Sequence, residues 1–216
     1  MRYTHVIWDF NGTILDDVKA GICAVNRMLA DRGIPCLADV EAYRRVFHFP
    51  IKSYYEALGF DFSKESYEEL APQWVALYLQ FVKDAGLCPF VKETLGAMQA
   101  SGLSQTLLSA TERRMLCAQV DELGLTSYFD EILGLDHIHA HSKLALAHAW
   151  REQHPEARAL MLGDTEHDFE TAEVLGADCY LIAGGHQPKE TLLATGAPVF
   201  ESLYEALSYL VANRCI

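Results

Sequence analysis

Tyr3-Thr4-His5-Val6-Ile7-Trp8-Asp9-Phe10-Asn11-Gly12-Thr13 is the stretch on which the reading of this chain turns. Thr4–Trp8 is a short apolar run bounded by turn residues, which predicts a buried strand. The run stops on a carboxylate, Asp9. Three residues on, Gly12 lets the backbone turn sharply and approach a ligand closely.

Runs of the same kind recur at Gln105–Leu108, Glu131–Leu135, Ala159–Leu162, Cys179–Ile182 and Pro198–Phe200. Between the later ones lie helical patterns. Pro89–Ala100 opens on proline and ends at Gly102. Glu112–Leu123 stops at Gly124, Lys143–Gln153 precedes the fourth run, Asp168–Leu175 stops at Gly176, and Ser202–Ala212 follows the last run. Strands alternating with helices predict an α/β fold, a Rossmann-like parallel sheet with helices on both faces. The interval after the first strand is different. It shows only helical periodicity, over Val18–Arg32, Ala38–Val46, Ile51–Leu58 and Lys64–Lys83. That predicts two domains: a core of residues 1–16 and 87–216, and an all-helical insert of residues 17–86 hinged near Asp16–Asp17 and Ala85–Cys88.

Half the residues are apolar, so the chain can bury a core. Seventeen basic against 30 acidic residues give a formal charge of −13, which disfavours nucleic acid and anionic lipid as partners. A small anionic substrate then needs a local source of positive charge. Six scattered cysteines form no Cys-x-x-Cys pair, and the chain enters its first strand with no basic leader and no long apolar run. These features predict a cytoplasmic protein with reduced thiols and no membrane span. It is expected as a monomer or homodimer.

Ligands of parallel α/β sheets bind beyond the carboxyl ends of the strands. The segments there are Asp9–Thr13, Ser109-Ala110-Thr111, a polar loop leading to Lys143, and Gly163-Asp164-Thr165-Glu166-His167-Asp168. Together they carry what phosphoryl transfer requires. Asp9 can attack phosphorus. Asp164 is a second carboxylate with which to hold Mg²⁺. Ser109 can donate to a phosphate oxygen, and Lys143 can offset charge developing there.

In this order the four segments resemble the motifs of the haloacid dehalogenase-like (HAD) hydrolases. These are Asp-x-Asp-x-Thr after strand one, a Ser or Thr ending strand two, a lysine opening a helix, and Gly-Asp-x-x-x-Asp. The helical insert sits where that family carries its C1 cap, and the nearest subgroup is similar to phosphoglycolate phosphatase. The resemblance implies an aspartyl-phosphate on Asp9. It implies Mg²⁺ held by Asp9, the main-chain carbonyl of Asn11, Asp164 and Asp168. Asp9, Asn11 and Lys143 are the expected catalytic positions. Thr13, Ser109, Ala110 and His48 are expected to bind a small phosphorylated substrate, with the cap segment Arg45–Lys52 closing over it.

One position departs from the pattern. The family's phosphatases carry a second Asp where this chain has Asn11, and an amide cannot deliver or accept the catalytic proton. Three readings follow. One is a phosphatase that is slow or compensates, with His48, Glu166 or His167 carrying the proton. Another is a carbon–phosphorus hydrolase resembling phosphonoacetaldehyde hydrolase, with Lys52 as its amine. The third is a catalytically weakened phosphate-binding protein. His137, His139 and His141 alternate before Lys143 and read as a solvated loop. Asp16 and Asp17 read as helix caps or hinge residues, Tyr54, Tyr55, Trp74 and Tyr78 as packing, and Gly184-Gly185-His186 as a turn.

Overall fold

The computed structural model describes residues 2–138 and 142–216. His139 and His141 therefore lie outside the described residues, while His137 is exposed. Six strands form one parallel sheet: β1 (His5–Trp8), β2 (Ser104–Glu112), β3 (Glu131–Leu135), β4 (Ala159–Gly163), β5 (Asp178–Ile182) and β6 (Val199–Phe200), in the order β3-β2-β1-β4-β5-β6. The first strand is central. His5–Trp8 pairs with Ser104–Leu107 on one side and with Ala159–Leu162 on the other. With neighbours on both edges and helices on both faces, Val6, Ile7 and Trp8 are fully buried. That is why the strand reads as a continuous apolar run.

Side chains alternate across the sheet. Val6 and Trp8 join one core together with helices α5 (Val91–Ala100), α6 (Arg113–Glu122) and α10 (Leu203–Ala212). Ile7 joins the opposite core with α7 (Leu144–Gln153), α8 (Glu166–Leu175) and the short α9 (Lys189–Ala194). The indole of Trp8 is satisfied inside the first core by Gln105 Oε1 at 3.1 Å. The expected α/β parallel sheet is present. The sequence reading missed α9, whose six residues are too few to show a period.

The helices α1 (Val18–Asp31), α2 (Val40–Val46), α3 (Ile51–Ala57) and α4 (Tyr67–Phe81) enclose a third apolar cluster of their own. The start of α4 falls three residues after the expected Lys64. Ser66 caps it in a reciprocal pair with Glu69, whereas Ser63 and Lys64 bind Asp61. Two antiparallel segments link these helices to the sheet. Leu15 bridges Leu87, Asp16 N donates to Gly86 O at 2.9 Å, and Cys88 N donates to Ile14 O at 2.8 Å. All six cysteines are unpaired, and no helix among the described residues is long and apolar enough to cross a membrane.

Candidate active site

Two departures from regular structure deliver the site. Past Trp8 the chain turns through Gly12 at φ +77°. Past Leu108 the pairing of β2 with β3 shifts register, so Ser109–Thr111 leaves the ladder. The carboxyl ends of β1, β2 and β4 and the start of α7 then surround one point.

Asp9, Asp164 and Asp168 meet there, with carboxylate oxygens within 4.8 Å of one another and all three buried. Lys143, just ahead of α7, reaches between them. Its Nζ donates to Asp9 Oδ1, to Asp168 Oδ1 at 2.6 Å and to the carbonyl of Leu108 at 3.3 Å. The other oxygen of Asp168 accepts from the backbone of Asp164 and Thr165 and from the Thr165 hydroxyl, at 2.7–3.0 Å. Asp168 thus shapes the fourth loop as well as facing the cluster. Asp164 accepts from Thr13 Oγ1 at 2.9 Å and from His186 N at 2.6 Å.

Three buried carboxylates against one ammonium leave uncompensated negative charge. Burial and repulsion from Asp168 push Asp9 well above the ordinary carboxylate range. Burial, partly opposed by His186, raises Asp164 to about 6. Burial also works against the charge on Asp168, but Lys143 outweighs it and holds that group low. Lys143 is penalised by burial in turn, and its two carboxylates raise it all the same. An all-oxygen donor set with excess negative charge fits a hard divalent cation such as Mg²⁺. The close packing of the loops is built on glycine. A Cβ on Gly12 would lie 2.4 Å from Asp164 Oδ2 and 2.6 Å from His186. Gly12→Ala is therefore expected to displace Asp164, destabilise the fold by about 1–3 kcal/mol and weaken metal affinity, as thermal melts with and without Mg²⁺ would report.

The side-chain amide of Asn11 is held on both its polar atoms. Its Nδ2 donates to Asp17 Oδ2 at 2.7 Å and to Tyr78 OH at 3.0 Å, and its Oδ1 accepts from Thr111 Oγ1 at 2.8 Å. Asp17 is the hub of this network. It also accepts from Gly12 N at 2.9 Å, Tyr78 OH at 2.7 Å and His186 Nε2 at 3.2 Å. Burial alone would raise Asp17, yet the charge of His186 and these donors bring it below the usual range. Burial likewise works against the His186 charge, but Asp17 and the nearby carboxylates carry its pKa up to about 9. Tyr43 OH completes the His186 contacts at 2.7 Å from Nδ1.

Sequence reading did not foresee His186, Tyr43 or Tyr78, nor that Asp17 would serve as hub. Asp17 makes no side-chain cap to α1, while Asp16 stays exposed. A lone histidine after two glycines carries no periodic signal, and its partner lies 169 positions away.

A cavity of about 140 Å³ opens above Asp9 and Lys143 and is roofed by the helical insert. Ser109, Ala110 and Thr111 lie at its wall. Ser109 is buried, with its hydroxyl bonded to Thr111. Of the expected segment Arg45–Lys52, Phe47, Phe49 and Ile51 line the cavity. His48 between them turns Nδ1 to the carbonyl of Val46 at 2.8 Å. Lys52 is exposed, its ammonium 5.2 Å from the centre of the Phe62 ring and away from the cavity. His167 stacks on Phe49 at 4.5 Å and binds Glu170, and Glu166 is engaged by Gln187.

Residues 6–182 match the haloacid dehalogenase-like hydrolase family, and the chain belongs to it. It is 26% identical over 196 residues to a phosphoglycolate phosphatase of Pseudomonas savastanoi pv. phaseolicola, covering 84% of this chain and 70% of that one. It is 23% identical to a phosphoglycolate phosphatase of Vibrio parahaemolyticus, over 96% of both chains. Among solved structures, a hydrolase of the haloacid dehalogenase-like family from Streptococcus pneumoniae superposes with a TM-score of 0.78. The two are 20% identical, and the match covers 97% of this chain and 99% of that one.

Proposed function

We propose that this hydrolase is a phosphatase acting on a small phosphorylated metabolite through an aspartyl-phosphate on Asp9. The observation that carries the reading is the buried meeting of Asp9, Asp164 and Asp168 around Lys143, beneath the helices of the insert. Asp9, Asp164, Asp168 and the main-chain carbonyl of Asn11 would hold Mg²⁺, which lowers the barrier to bringing two anions together. Thr13 fixes Asp164, so the first loop and the fourth hold their spacing. Lys143 keeps Asp9 oriented and offsets charge on the phosphoryl oxygens. The roof excludes water.

Asn11 sets the character of the reaction. An aspartate there would stand 2.7 Å from Asp17 Oδ2, and the two carboxylates could coexist only by sharing a proton. The amide donates to Asp17 without that cost and cannot move a proton. The leaving oxygen therefore departs without an acid at this position. Water attacking the aspartyl-phosphate likewise finds no base there. We expect a burst of one leaving group per site followed by slow turnover. Stopped-flow mixing with 4-nitrophenyl phosphate and Mg²⁺ measures it. In Asn11→Asp the carboxyl shares a proton with Asp17, the burst merges into a steady rate, and turnover rises by roughly 10²-fold. No burst and no turnover in either protein would leave the phosphate-binding reading. With Lys52 outside the cavity, the carbon–phosphorus reading has no amine from the insert.

A further inference from the structure

The roof of the cavity bears on what the phosphate is attached to, given the phosphatase reading. Tyr43, Phe47, Phe49, Tyr54, Trp74 and Tyr78 present six aromatic rings to the same space as Asp9. They form two groups, one of four rings and one of two. Tyr43 packs on Phe47 at 5.2 Å, Phe47 on Tyr54 at 5.3 Å and on Phe49 at 5.8 Å, and Trp74 stacks on Tyr78 at 4.7 Å.

No lysine or arginine of the insert lines the cavity among the described residues. The nearest cation by position is Arg44, whose Nε donates to Gly185 O at 2.8 Å and whose NH2 donates to Gly184 O. Arg32 is held by Glu65, and Lys52 lies over Phe62. The only ammonium in the lining is Lys143, already shared by two carboxylates. His186 also lines the cavity, but both its ring nitrogens are engaged, by Asp17 and by Tyr43. Among the described residues a second anionic group on the substrate would therefore find no free cationic donor and would sit near Asp9 and Asp17.

From these features we infer that the substrate is an aryl phosphate monoester, with an uncharged aromatic ring against the roof. The chemistry agrees with Asn11. When Asp9 Oδ attacks phosphorus, the P–O bond to the ring oxygen breaks and the electron pair leaves as a phenolate. A phenolate is stable enough to depart unprotonated and takes its proton from water afterwards. An alkoxide would need the acid that position 11 lacks. Phosphoglycolate, with its carboxylate and alkyl oxygen, fits neither the roof nor Asn11.

The inference is tested by binding, without turnover. With Mg²⁺ present, the affinities of benzylphosphonate, ethylphosphonate and 3-phosphonopropionate are measured by calorimetry. Benzylphosphonate is expected to bind about tenfold or more tightly than ethylphosphonate. 3-Phosphonopropionate is expected to bind no better than ethylphosphonate. A ring that adds nothing, or a carboxylate that binds best, overturns the inference and leaves the phosphatase reading standing. If none of the three binds to a cooperatively melting protein, the phosphate site itself is refuted. The phosphatase reading is judged separately by the Asp9-dependent burst.

Discussion

Asp9→Asn loses turnover by on the order of 10⁴-fold or more while the protein stays folded. The argument is local. Asp9 is the carboxylate at the end of the central strand, facing the cavity and touching Lys143. An amide there keeps the shape and loses the nucleophile. Its effect on stability runs the other way. Asp9 is one of three buried acids against a single ammonium, and burial and Asp168 both oppose its charge. Removing one charge relieves that repulsion, so without metal the variant should melt no lower than the wild type. Mg²⁺ should then raise its melting temperature less than it raises that of the parent, because one ligand is gone. Unchanged steady-state activity in Asp9→Asn would end the mechanism proposed for this site.

Lys143→Met has the largest expected effect on the fold. The lysine is buried, and its ammonium donates to two carboxylates and a carbonyl at the seam between β1, β2 and α8. Methionine fills similar space and offers no charge. Three acids would then share a dry pocket without a cation, and breaking such a buried cluster costs about 3–5 kcal/mol. The prediction carries its own control. Mg²⁺ supplies positive charge to the same oxygens, so the loss measured by denaturant melts should be largest in chelator and shrink as the ion is added. A variant equally unstable at every Mg²⁺ concentration would mean that the acids do not share an ion.

Much of this fold is legible because its signals are local. The runs that became β1, β3, β4 and β5 are apolar on both faces, a property that burial in a parallel sheet imposes on short segments. Asp9, Lys143 and Asp164 stand out because each follows a strand, and strand ends converge in this topology. What was not legible depends on pairs far apart in sequence. Asp17, Tyr78 and His186 form a network whose members look, one at a time, like a helix cap, a packing residue and a turn. His48 and Lys52 drew attention as polar residues in the right segment. The non-helical linker between α2 and α3 brings Phe47 and Phe49 to the cavity instead, together with Ile51 at the start of α3. Tyr54, Tyr55, Trp74 and Tyr78 read as packing because aromatic spacing on a helix looks the same whether the rings meet each other or a ligand.

The position of Asp17 has a mechanical result. It stands where the chain leaves the sheet for the helices, and through one carboxylate it grasps Gly12, Asn11, Tyr78 and His186. Tyr43 and Arg44 on α2 grip His186 and the glycines before it, and the backbone of His186 holds Asp164. Lifting the helical insert to admit a molecule would therefore loosen the grasp on an acid at the bottom of the well. On the proposed reading, entry and ion retention would be joined: the cation would leave most readily while the site is open and be held best once a guest is shut inside.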